Sequence, residues 1–297
     1  MTERIVQTIR TVPQIRGEIA ALRCSGATVG FVATMGALHA GHRALIERAA
    51  SEHEVVVVSI FVNPTQFNRA DDLERYPRDE QRDVELAAAA GATICFAPSV
   101  EEIYPDGFAT GVQVRGPLTE TLEGEARGVG HFDGMATVVT ILLNIVAPDV
   151  AYFGAKDAQQ ALVVRKIVGE LRIPVEIVTA ETVRDEDGLA FSSRNARLTT
   201  PAREQALEIS AALQVAADAI SDHSTPSPEA AIAVAVDHLR EAGITPEYFA
   251  ITDPTTLEPA QELSGTLLIA CAATIDGVRL IDNLTICTDR EAATANR

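Results

Sequence analysis

The sequence predicts an α/β protein: a doubly wound parallel sheet over residues 1–182 and a smaller α+β domain over 183–297. Three observations predict it. Strand-like apolar runs alternate with helical patterns through short connections up to about residue 180, the order that builds parallel βαβ units. One of those runs, 54–61 (EVVVVSIF), is apolar almost without interruption, as expected of a strand buried on both faces. Past residues 181–183 the alternation stops, and two long helical stretches precede three strand-like ones.

Taken in order, 28–34 (TVGFVAT) reads as a strand and 41–53 as a helix with Ala44, Leu45, Ala49 and Ala50 on its apolar side. After the strand at 54–61, residues 78–91 are helical and stop at Gly91, and 92–98 (ATICFAP) return as a strand. Residues 134–148 suit helix or strand, with length and small residues favouring helix. A strand at 149–154, a helix at 157–171 and a strand at 173–180 complete the first domain. The second has helices at about 200–223 and 227–242, split by a polar breaker (SDHSTPSP), then strands at 246–252, 266–274 and 278–287. The final residues, 291–297 (EAATANR), read as disordered. No repeat or low-complexity tract is present.

Hydrophobic residues make up 47% of the 297 and aromatics 4%, with no Trp, so the core is expected to be aliphatic. A formal net charge of −18 repels phosphate backbones and anionic membrane surfaces, which argues against nucleic-acid and membrane partners. It leaves room for a small anion held by a few local cations. Cys24, Cys95, Cys271 and Cys287 form no CxxC pair and are read as buried thiols in a reducing compartment. The first residues carry no apolar signal core, and no run reaches the ~18 apolar residues of a membrane span. The expectation is a soluble cytoplasmic protein.

Four constellations carry chemistry. Thr34, Met35, Gly36, Ala37, Leu38, His39, Ala40, Gly41 and His42 lie directly after a strand and open a helix. A helix N-terminus offers unpaired N–H groups and partial positive charge to a phosphate. Two imidazoles three residues apart can donate hydrogen bonds there to phosphoryl oxygens as charge develops on a leaving group, and are read as cationic groups, whereas a lone histidine is more often structural. Gly154, Ala155, Lys156 and Asp157, followed by Gln159 and Gln160, form a second strand-to-helix turn. Only two lysines, Lys156 and Lys166, stand against 22 arginines, so Lys156 suggests a need for a compact point charge. Asp157 is expected to cap the helix or meet Mg²⁺ or ribose; the plainer reading is a solvated turn. Phe191, Ser192, Ser193 and Arg194 suggest a mobile phosphate clamp, although Ser-Ser-Arg is common in surface loops. Phe61 to Phe67 (FVNPTQF) follow another strand, and Gln66 offers a donor and an acceptor to a small polar substrate. His131, in GHFDG, reads as site wall or as a satisfied loop histidine, and the tripeptide YPR at 76–78 as a loop end.

Together these stretches resemble the pantoate–β-alanine ligases (pantothenate synthetases), within the wider HxGH nucleotidyltransferase group and its Rossmann-like core. TMGALHAGH, SIFVNPTQF, YPR, GHFDGMATVV, YFGAKDAQQ, VRDEDGLAFSSRN and RLIDN carry the resemblance, which spans about residues 28–285. It implies ATP-dependent condensation of pantoate with β-alanine through pantoyl adenylate, releasing pyrophosphate and AMP. It implies ATP contacts at Met35, Gly36, Ala37, Leu38, His39, Ala40, Gly41, His42, Gly154, Ala155, Lys156, Asp157, Val183, Phe191, Ser192, Ser193 and Arg194. His42 matches the proton donor, with His39 and Lys156 beside it in the catalytic set. Gln66 and Gln160 would hold pantoate, Gln66 also β-alanine. Mg²⁺ is implied as the counter-ion of ATP, with no dedicated protein metal site, as are a homodimer and a C-terminal lid. Ala33, Ala40, Ala155 and Phe191 depart from the family's usual Pro, acidic residue, Glu and Met, and put ATP affinity in question more than activity. Two alternatives stand beside this reading: an adenylyltransferase such as those acting on phosphopantetheine, normally a smaller chain, and a non-catalytic nucleotide sensor.

Overall fold

The computed structural model describes residues 6–68 and 70–288, so the expectation for 291–297 lies outside the described residues. These residues fall into two compact units that meet in sequence between Val183 and Arg184. The first runs β1 (Gln7–Ile9), α1 (Val12–Cys24), β2 (Val29–Thr34), α2 (Ala40–Glu52) and β3 (Val55–Ile60), then a 3-10 turn at Pro64–Gln66. It continues with α3 (Ala70–Glu74), α4 (Glu80–Ala89), β4 (Ile94–Phe96), α5 (Val100–Ile103), α6 (Pro117–Glu120), α7 (Glu123–Arg127) and α8 (Val129–Val146). β5 (Val150–Gly154), a 3-10 turn at Ala155–Asp157, α9 (Ala158–Glu170) and β6 (Glu176–Ala180) close it.

The strands lie in the order β1-β4-β3-β2-β5-β6, and every pairing is parallel. From β2 the chain winds outward through β3 and β4, then returns to β5 and β6 on the other side. That reversal is a topological switch point, and in open α/β sheets ligands bind beyond the carboxyl ends of the strands there. Successive side chains of one strand serve different layers. Phe31, Val57, Phe96 and Phe153 pack with Ile15 and Ile19 of α1 and Val163, Val164 and Ile167 of α9. Val32, Val56, Val58, Cys95 and Tyr152 face the opposite layer, with Leu45, Ile46 and Ala49 of α2 and Ala87 of α4. This is why the first five residues of β3 are all buried and show no polar alternation. Each fully buried Val, Ile or Phe contributes about 1.5–3 kcal/mol.

The second unit contains a 3-10 turn at Ser193–Arg197, α10 (Thr200–Ser221), α11 (Pro228–Glu241), β7 (Pro246–Thr252), β8 (Gly265–Ile275) and β9 (Val278–Thr288). The strands form an antiparallel sheet with β8 central. Ala206, Leu213 and Ile220 of α10 and Ala231, Ala235 and Leu239 of α11 pack on Ile269, Cys271 and Ala273. The polar breaker ends as a helix start, with Ser227 capping the N–H of Ala230 and Pro228 in the first turn. Arg184, the unit's first residue, forms a bidentate pair with Asp282 of β9 at 2.6 and 2.9 Å, and also reaches the carbonyl of Gly188. RLIDN is thereby tied to VRDEDG.

Three expectations are corrected. β1 and α1 went unread in the sequence, and α8 begins at Val129, before the residues assigned to it. Only Cys95 and Cys271 are buried; Cys24 ends a surface helix and Cys287 lies near the end of the edge strand β9, so both are exposed. Burial pushes the Cys95 and Cys271 thiols up to about 12.

Candidate active site

At the carboxyl end of β2 the backbone turns sharply. Thr34 donates through Oγ1 to the carbonyl of Ser59 at 2.5 Å and accepts the N–H of Gly36 at 3.1 Å, tying the turn to β3. Gly36 takes φ +79° and Ala37 φ +52°, while Gly41 is ordinary helix. A side chain at Gly36 would meet Oδ2 of Asp83 at 2.8 Å. That carboxylate, on α4, accepts the N–H of Ala37 at 2.8 Å and of Leu38 at 2.7 Å.

His39 is the N-cap of α2, and the two histidines form a reciprocal capping box. Nδ1 of His39 accepts the N–H of Gly41 at 3.2 Å, and Nδ1 of His42 accepts the N–H of His39 at 3.3 Å. The ring centroids are 4.1 Å apart. An imidazole that accepts at Nδ1 carries its proton on Nε2. Burial, reinforced by Lys156, pulls His39 down to about 4. Burial, with His39 alongside, pulls His42 down to about 3. Both are neutral at pH 7 and act as N–H donors, which corrects their reading as cations. The amides of Gly36, Ala37, Leu38, His39 and Gly41 all have protein acceptors.

Lys156 and Asp157 lie in the 3-10 turn at the end of β5, the strand beside β2, and both act electrostatically on His39 and His42. Lys156 is half-buried and Asp157 exposed. Asp157 occupies the N-cap position of α9, but its side chain makes no capping bond, so of its two expected roles the cap is not the one seen.

Asn63, 1% exposed, organises the end of β3. Its Oδ1 accepts from Thr65 and from the Tyr104 hydroxyl at 2.9 and 2.8 Å. Its Nδ2 donates to Oε1 of Gln66 at 3.0 Å and to the carbonyl of Gly134 at 3.1 Å. Gln66 then reaches Sδ of Met35 through Nε2 at 3.2 Å, so the structure joins the first and fourth constellations. GHFDG lies in the opening turns of α8. Nδ1 of His131 bonds the Gln66 carbonyl at 2.9 Å, and a Cβ on Gly134 would come within 2.5 Å of the Thr65 carbonyl. Those residues buttress the glutamine.

Two adjacent glutamines on α9 diverge. Gln159 is buried; its Oε1 accepts from Glu123 N–H and its Nε2 donates to the carbonyls of Leu118 and Thr121. Gln160 is half-buried, and its amide has no hydrogen-bond partner among the described residues. Phe191, Ser192, Ser193 and Arg194 belong to the second unit, where Oγ of Ser192 caps a 3-10 turn by accepting the N–H of Arg194 at 3.2 Å. Val183 is the last residue of the first unit. Sequence reasoning missed Asp83, Asn63 and the holding roles of His131 and Gly134, most of whose partners are 41 to 71 positions away; a lone acidic residue in a charged helix carries no local signal.

The family model for pantoate-β-alanine ligase matches residues 7–285. A pantothenate synthetase of Moorella thermoacetica is 48% identical over 287 residues, 95% of this chain and 99% of its own. The crystal structure of pantothenate synthetase from Thermus thermophilus superposes with a TM-score of 0.88 at 45% identity, covering 94% of this chain and 99% of that one. Pantoate-β-alanine ligase from Francisella tularensis, complexed with beta-gamma ATP and β-alanine, gives a TM-score of 0.78 at 35% identity, over 94% and 97% of the two chains.

Proposed function

This chain belongs to the pantoate-β-alanine ligase family, and from that premise we propose how its residues divide the chemistry. The protein is an ATP-dependent ligase of pantoate and β-alanine. In our reading, a carboxylate oxygen of pantoate attacks the α-phosphorus of ATP, the bond from that phosphorus to the bridging oxygen breaks, and pyrophosphate leaves. The amine of β-alanine then attacks the acyl carbon of pantoyl adenylate; the bond to AMP breaks and the nitrogen gives up a proton. Pantoate is ionised at pH 7, so the first step needs no strong base.

The observation that carries this reading is the histidine capping box beside Lys156 at the switch point of the sheet. Adenylation is mainly positioning and stabilisation of charge that gathers on the leaving pyrophosphate. Two half-buried imidazoles with protons on Nε2 suit that task. They cost no ordering at the moment of reaction, and their proton affinity rises as the leaving group becomes more negative. Of the two, His42 is assigned as the main hydrogen-bond donor, through Nε2–H, to the leaving pyrophosphate, and Lys156 supplies a compact positive charge. ATP is assigned to residues 35–42 and 154–157, with Val183 and residues 191–194. Gln160, with its uncommitted amide, and Gln66 are assigned to pantoate, Gln66 also to β-alanine.

Mg²⁺ enters with ATP, held by phosphate oxygens and water in the manner of a hard cation. The described residues contain no group of three His, Cys, Asp or Glu side chains placed to hold a metal, and Asp157 is the carboxylate assigned to the complex. A homodimer follows from the family resemblance, tested by light scattering. No described helix is long and apolar enough to cross a membrane. Cytoplasmic location is our reading from the use of ATP and the free thiols.

Exchange of labelled pyrophosphate into ATP, with each substrate omitted in turn, tests the order of steps. Pantoate alone should support exchange and β-alanine alone should not. Exchange that strictly required β-alanine would point to a concerted reaction.

A further inference from the structure

Asp83 is 2% exposed, yet no cationic side chain among the described residues pairs with it. A buried carboxylate without a cation is costly to keep in a fold. What it holds instead are two backbone N–H groups, of Ala37 and Leu38, one on each oxygen. These follow Gly36 at φ +79° and include Ala37 at φ +52°, a left-handed stretch that an L side chain resists. The next residues are His39, which caps α2, and Ala40, which opens it. The carboxylate therefore fixes the direction of two peptide units immediately before the histidine capping box. It also occupies their two N–H groups.

We propose that Asp83 is a positioning residue for the ATP half of the reaction, holding the 36–38 turn so that His39 and His42 meet the nucleotide. This rests on the reading that those histidines act on ATP. Asp83→Asn is the direct test. Its single amide oxygen can accept one of the two N–H groups, while its NH₂ faces the other donor. In pantoate-dependent pyrophosphate–ATP exchange, kcat/KM for ATP should fall by roughly tenfold or more, on the scale of losing a hydrogen bond to a charged group. The KM for β-alanine in the full reaction should stay within threefold of the parent, a split that general loosening of the fold would not produce. Adding His42→Ala to Asp83→Asn should cost much less than His42→Ala costs in the parent, because both act through one geometry. A folded Asp83→Asn enzyme with parental ATP parameters overturns the proposal, as do losses that simply multiply. If Asp83→Asn does not fold, Gly36→Ala asks the same question by driving a Cβ against Oδ2 of the intact carboxylate. The same selective loss is expected, and parental ATP kinetics overturn the proposal. A parent without exchange, or His42→Ala with parental exchange, sinks the reading of the site itself. A damaging His42→Ala beside a silent Asp83→Asn sinks only the role of Asp83.

Discussion

Helix α2 has a histidine at each end, and the two ends use the ring differently. At the amino end, beside the carboxyl ends of the strands, His42 commits only Nδ1, to a backbone amide. Its Nε2 has no protein partner among the described residues. At the carboxyl end, His53 commits both nitrogens: Nδ1 lies 3.0 Å from Oγ1 of Thr28 and Nε2 2.9 Å from the Tyr152 hydroxyl. That hydroxyl in turn donates to Glu52 at 2.5 Å. A ring held at both nitrogens by protein is architecture, whereas a ring steadied at one has the other to offer a ligand. Gln159 and Gln160 repeat the lesson one residue apart.

The contrast is broken most directly by exchanging the fates of the two ends. His42→Ala should lower turnover by ~10²–10³, the scale for losing one preorganised donor to a developing anion. His39→Ala should do the same. His53→Ala should lower the melting temperature while leaving kcat per folded molecule within threefold of the parent. Steady-state kinetics beside thermal unfolding decide it, and the reverse pattern would reverse the assignment.

Lys156→Arg comes next. A wider planar cation misplaces its charge in a tight turn, and a charged hydrogen bond is worth about 1.5–3 kcal/mol, so kcat/KM for ATP should fall roughly 10–100-fold. Parental activity would mean that the identity of residue 156 is accidental.

The glutamine pair sharpens the comparison at lower amplitude. Gln160→Ala should raise the KM for pantoate by roughly tenfold, about the worth of one hydrogen bond, and depress exchange as well as synthesis. Gln159→Ala should instead cost about 1–3 kcal/mol of stability, because three backbone groups lose their partner. Denaturant titration and pantoate saturation curves separate the two.

A separate effect is on pH. Both capping-box histidines have depressed values in the fold, so the unfolded chain binds more protons between about pH 4 and 6.5. Their contribution is fully present above pH 6.5 and is lost as pH falls toward about 4 and 3. The slope is about 1.4 kcal/mol per pH unit for each group. Unfolding free energies at pH 7, 6 and 5 should show a shallower slope in His42→Ala. Between pH 6 and 8, where neither ring titrates, pantoate-dependent exchange should show no histidine limb.

Legibility in the sequence followed the range of the forces involved. The β3 valines announce a doubly covered strand because burial on both faces removes alternation. β1 offers only three residues, too few to display a period. The start of α8 is hidden by Gly130 and Gly134, which look like loop punctuation. Gly134 is small because the turn at Pro64–Gln66 lies against it, a reason that exists only in three dimensions. The histidines, Lys156 and Gln66 stood out because each sits at a strand end, and the family resemblance spoke to their roles. The neutral state of the two histidines did not stand out, since desolvation by the fold is not written in HAGH. Asp83 was silent because its partners are distant, and Asn63 because the Tyr104 hydroxyl and the Gly134 carbonyl reach it from far along the chain. The helical phase that aligns Gln159 with Val163 and Ile167 does separate it from Gln160, and that signal was there to be used.

The Arg184–Asp282 pair has a mechanical consequence. It fastens the first residue of the second unit to that unit's last strand. A pull applied where the chain enters this unit therefore meets β9 at its middle, through two parallel hydrogen bonds, as well as running along the backbone, much as a buckle shares the load of a strap.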